Sequence, residues 1–103
     1  MHRNTVYDDP AEAAAALDSR CGGGGPLWHV GHSGNPHNRL GLRRVRPEYP
    51  LVCVECIDGF VADAAERILV DRLGYDGRAG GGKETSIYVY AVPLEGLYSL
   101  DRR

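Results

Sequence analysis

The spacing of apolar and polar positions changes period several times along the chain, and each change marks an element. Asn4-Thr5-Val6-Tyr7 reads as a short strand. Asp8-Asp9-Pro10 then supplies an aspartate N-cap and a first-turn proline, which satisfies orphan amides where proline's missing N–H costs nothing. Ala11 to Arg20 follows as a helix, with Glu12 early and Arg20 late in the sense the helix dipole favours. Cys21 and four glycines end it. Leu27 to His32 reads as a strand. Its alternation puts Trp28, Val30 and His32 on one face and His29 on the other. Trp28 and Val30 are the better core pair, so His29 turns away from the core. Asn35 and Pro36 start a second, short helix carrying His37, Asn38, Arg39 and Leu40, and Pro47 and Pro50 bracket a loop.

The second half is patterned more strongly. Leu51 to Ile57 is a strand bounded by Asp58-Gly59. Phe60 to Leu73 is the clearest helix: 100° steps gather Val61, Ala64, Ala65, Ile68 and Leu69 on one broad face, with Asp63, Arg67 and Asp71 opposite. Glu66 falls on the border beside Ala62, Leu69 and Leu73, and Gly74 caps the end. Ser86 to Val92 is a strand, read as an edge and stopped by Pro93. Tyr88 and Tyr90 share one of its faces, read as open to a partner. The expected fold class is α+β, a small mixed sheet flanked by helices with an extra N-terminal helix.

At 103 residues the chain is expected to form a single domain over 1–103, with a core at 27–92, the extra helix at 8–21 and a weakly structured tail at 93–103. Hydrophobic residues make up 43% and charged residues 25%, which excludes a disordered or coiled-coil chain. No apolar run approaches the length of a membrane span, and no apolar stretch follows Met1-His2-Arg3-Asn4-Thr5, so neither a membrane partner nor a signal peptide is expected. The three cysteines fit a reduced, cytoplasmic protein.

The net charge of −2 argues against coating nucleic acid by bulk charge. Its distribution says more: Arg39, Arg43, Arg44 and Arg46 fall in one stretch without an acid, leaving −6 on the rest of the chain. A basic patch on an acidic body suits a local polyanion contact. Cys53-Val54-Glu55-Cys56 has metal-ligand spacing, but residues three apart on a strand face opposite sides. These cysteines are expected to be small buried hydrophobes, and no zinc is expected in the protein.

The run Trp28-His29-Val30-Gly31 followed by Asn35-Pro36-His37-Asn38-Arg39-Leu40 resembles the second motif and following helix of the GIY-YIG nuclease superfamily, in its phage-type branch. His29 takes the place of the motif's lysine. The strand from Leu51 to Ile57, the helix segment from Ala65 to Leu73 with Glu66, and Gly81-Gly82-Lys83-Glu84 before an aromatic strand are similar to the family's later motifs in the same order. Thr5-Val6-Tyr7 is the only candidate for the first motif, and no asparagine follows Asn38. The resemblance implies a GIY-YIG-like fold and cleavage of phosphodiester bonds with Mg²⁺ or Mn²⁺. It gives Tyr7 and His29 to activation of water, Arg39 to the scissile phosphate, Glu66 to the metal, and Arg43, Arg44 and Arg46 to nucleic-acid binding. The alternative implied by the altered motifs is a catalytically inactive phage or mobile-element protein that binds a protein partner, such as a host defence complex.

Overall fold

In a computed structural model, residues 5–36, 50–78 and 83–96 are described. Four strands form one mixed sheet: β1 (Val6–Tyr7), β2 (Trp28–Ser33), β3 (Val52–Cys56) and β4 (Tyr88–Pro93), in the spatial order β1-β3-β4-β2. β1 runs parallel to β3, whereas β4 is antiparallel to both β3 and β2. Helix α1 (Pro10–Arg20) links the two edge strands, and α2 (Gly59–Asp71) joins the central neighbours β3 and β4. The molecule is thus a small α+β fold.

Local chemistry sets the element ends. Asp9 accepts a bond from the Ala11 amide with Pro10 at the first turn of α1, and Asp58 accepts from the Val61 amide to start α2. After α2, Gly74 at φ 77° turns the chain, and the Tyr75 amide donates to the Leu69 carbonyl. The following segment lies along the outer edge of β2. The Val30 amide donates to the Asp76 carbonyl, and the Asp76 amide donates to the Trp28 carbonyl.

Both helices pack on one face of the sheet. Ala13, Ala14 and Leu17 of α1 and Ala62, Ala65 and Leu69 of α2 close over Val30, Val54, Cys56, Val89 and Ala91. The opposite face carries a smaller cluster, Tyr90 and Val92 with Leu51, Cys53 and Leu94. Gly31 makes room for it: a Cβ there would meet the Tyr90 hydroxyl at 2.4 Å.

Several expectations change. β4 is interior, because β2 and β3 both pair with it, and Pro93 sits at its end opposite Trp28 rather than beyond it. Its Tyr90 is buried, not open. The buried side of α2 is rotated toward Ala62 and Glu66, because α2 contacts α1 as well as the sheet and leaves Val61, Ala64 and Ile68 half-buried. The tail begins with an ordered 3-10 turn at Leu94–Gly96. The helix expected after Asn35-Pro36, with Arg39, Arg43, Arg44 and Arg46, lies outside the described residues.

Candidate metal centre

The β2–β4 register pairs His32 with Val89, so His32 projects to the helix-covered face beside Val30. Asp63 and Glu66 stand three residues apart on α2, on neighbouring positions of the helix surface. The sheet and helix bring the three together. His32 Nε2 lies 3.5 Å from Asp63 Oδ1 and 3.5 Å from Glu66 Oε1. One ligand atom from each residue falls within 4.8 Å of the others. The His32 and Glu66 side chains are 3% and 2% exposed, while that of Asp63 is 28% exposed.

A turn at residues 83–86 holds the imidazole. His32 Nδ1 lies 3.1 Å from the Ser86 carbonyl oxygen. A carbonyl only accepts, so Nδ1 carries the proton and donates it there. In the neutral ring Nε2 is then a lone pair aimed at the two carboxylates. The turn is tied down in its own right: the Gly59 amide donates to the Glu84 carbonyl, the Ser86 amide donates to the Lys83 carbonyl, and the Lys83 amide donates to Ser86 Oγ. Gly59 is required at the start of α2, since a Cβ there would lie 2.0 Å from the Lys83 oxygen.

Two carboxylates beside one buried imidazole call for charge compensation. Arg67 supplies part of the compensation from outside, its Nε donating to Asp63 Oδ2 at 2.9 Å. That leaves Asp63 Oδ1 pointing inward. Asp63 Oδ1 and His32 Nε2 are both buried without a hydrogen-bond partner. Charge-assisted bonds contract to roughly 2.7–2.9 Å, so the 3.5 Å separations are too long for a proton to bridge well. They do suit donor atoms sharing one ion, so this donor set fits a divalent metal.

Of the residues singled out from sequence, Glu66 lies in this cluster. His29 does not: its register partner is Val92, on the face away from the helices, and its Nδ1 lies 2.8 Å from Asp76 Oδ2. Tyr7 packs at the margin of the helix-side core on β1. β1 and β2 are opposite edges of the sheet, three strand spacings or roughly 14 Å apart. Strand order and strand alternation therefore keep Tyr7 and His29, the two residues the resemblance gives to activation of water, apart from one another. Arg39, Arg43, Arg44 and Arg46 lie outside the described residues. Cys53 and Cys56 face opposite sides of the sheet, Cys56 in the helix-side core and Cys53 against Tyr90 and Val92. Burial pushes both thiols up, Cys56 to about 11.

Sequence reasoning passed over His32 and Asp63 as partners of Glu66. Two signals were present. His32 is a polar residue on the strand face assigned to the core, and Asp63 precedes Glu66 by one helical turn. No protein-family model, curated protein or solved structure matches this chain.

Proposed function

We propose that this chain is a GIY-YIG-like nucleic-acid-binding protein that hydrolyses phosphodiester bonds with a divalent metal held at His32, Asp63 and Glu66. The observation that carries the reading is the buried Glu66 carboxylate beside an unpartnered His32 Nε2. The motif resemblance gives this same glutamate to the metal. A dication held by these three residues would supply positive charge to the phosphate oxygens of a phosphodiester. Arg39, in the stretch after β2, has the planar guanidinium suited to a phosphate, and Arg43, Arg44 and Arg46 follow it. His29 is oriented by Asp76 on the other face, so the reading assigns no catalytic part to His29 or Tyr7.

Plasmid DNA and RNA incubated with the protein and Mn²⁺ or Mg²⁺ test this. Cleavage that is lost with EDTA, and lost in Glu66→Gln, is the expected result. No cleavage of either nucleic acid, or full activity in Glu66→Gln, would contradict it. A second reading, the non-catalytic protein-binding module, is favoured by Phe60 and Ile57, which are 71% and 62% exposed around the start of α2. A protein that binds metal yet cleaves nothing would select it.

A further inference from the structure

Which ion the centre takes can be read from its donor set. Mg²⁺ is bound through one or two carboxylates, keeps several of its waters, and has little use for a nitrogen donor. Imidazole nitrogen favours first-row transition metals. Here one of three donor atoms is a nitrogen, and its ring is fixed from the far side. The His32 ring is 3% exposed and its Nδ1–H is committed to the Ser86 carbonyl. Such a bond from the far ring nitrogen to a carbonyl fixes the tautomer and raises the basicity of the ligating nitrogen.

Distances agree with this. Donors at about 2.1 Å from a tetrahedral ion are separated by about 3.4 Å. The two His32 Nε2 to carboxylate separations are each 3.5 Å. Octahedral neighbours at the same bond length would be only about 3.0 Å apart, so the spacing ranks Zn²⁺ ahead of Mn²⁺ within this class. Asp63 is the least buried of the three, its side chain 28% exposed, although its inward Oδ1 is itself buried. Three protein donors is the ligand count of catalytic rather than structural zinc sites.

We propose that His32, Asp63 and Glu66 form a mixed nitrogen–oxygen centre that takes a first-row transition-metal dication, of the Mn²⁺ or Zn²⁺ class, in preference to Mg²⁺. This deepens the metal-dependent reading above, but ion binding is measured apart from cleavage. No zinc is expected in the protein from the spacing of Cys53 and Cys56; this centre uses no cysteine and departs from that expectation.

The test titrates the full chain with Mn²⁺ alone, following free Mn²⁺ by electron paramagnetic resonance. One equivalent should bind. Zn²⁺ should displace it at equal concentration, whereas Mg²⁺ should need at least about tenfold excess. Electron spin echo modulation of the bound Mn²⁺ should show a directly coordinated imidazole nitrogen, which His32→Gln removes. Loss of even a supporting partner typically costs roughly 10–100-fold in affinity, so Glu66→Gln and Asp63→Asn should each lose at least that much. Circular dichroism and thermal melts establish that each variant is folded. The unsubstituted chain alone keeps the proposal testable if a variant is not. No binding, displacement by equimolar Mg²⁺, or bound Mn²⁺ without nitrogen coupling would overturn it. Binding with all these signatures but no nucleic-acid cleavage would leave this inference standing and sink the nuclease reading.

Discussion

His29 and His32 lie three positions apart on one strand and meet different chemistry. His29 faces the side carrying Tyr90 and Val92 and is held by a half-exposed Asp76. His32 faces the core and two carboxylates. Alternation made this division legible in the sequence: Trp28, Val30 and His32 share a face. What it did not reveal was which helix residues lie across from that face, because that depends on the rotation of α2. Cys56 shows the same limit in milder form. Its place in the core was readable, and its titration follows from burial. The thiol is pushed up to about 11, first by desolvation and then by the nearby charges of Asp58 and Glu55. The unfolded chain therefore releases this proton first, near its ordinary value of 9.0, and the folded chain only near 11. Stability is unaffected by this thiol below that window and falls as pH rises through it. Chemical unfolding between pH 8 and pH 11 should show the fall, with a shallower slope in Cys56→Ala. A thiol reagent at pH 8 should label Cys56 only after unfolding. Rapid labelling of Cys56 in the native protein would contradict this.

Element identity was readable wherever capping and periodicity agreed. Asp9-Pro10 starts α1 and Asp58 starts α2, as their side-chain bonds show. The buried side of α2 was misplaced because apolarity alone picks Val61 and Ile68, whereas the helix is wedged between the sheet and α1 and buries Glu66. A buried glutamate cannot be found by an apolar periodicity. Nor could the pattern of β4 tell an interior strand from an edge, since both of its faces are apolar and only the pairing partners decide. The start of α2 carries a further consequence. Gly59 lies against the turn that supports His32, with no space for a Cβ beside the Lys83 carbonyl. Gly59→Ala should force the turn and the helix apart and cost about 1–3 kcal/mol, the usual range for overpacking. It should also weaken Mn²⁺ binding, since the Ser86 carbonyl moves with the turn. Denaturant unfolding checks the first effect and metal titration the second. Unchanged stability would show that the turn gives way freely.

At the scale of the whole molecule, the mixed order β1-β3-β4-β2 decides what can work together. It puts Tyr7 and His29 on opposite edges, and the core-side register of β2 puts His32 under α2. No helix of the described residues is long and apolar enough to cross a membrane. The sequence motifs pointed to Glu66, and the tertiary fold adds His32 and Asp63, whose spacing along the chain from one another carries no familiar signature. The most direct measurement is a crystal structure of the Mn²⁺-loaded protein with anomalous scattering collected at the manganese edge. One peak should lie about 2.0–2.3 Å from His32 Nε2 and from an oxygen each of Asp63 and Glu66, as ligand bonds of this class require. A peak elsewhere, or none, with His32 Nε2 drawn into a direct hydrogen bond to Glu66, would show that the three residues are a buried ion pair and not a metal centre.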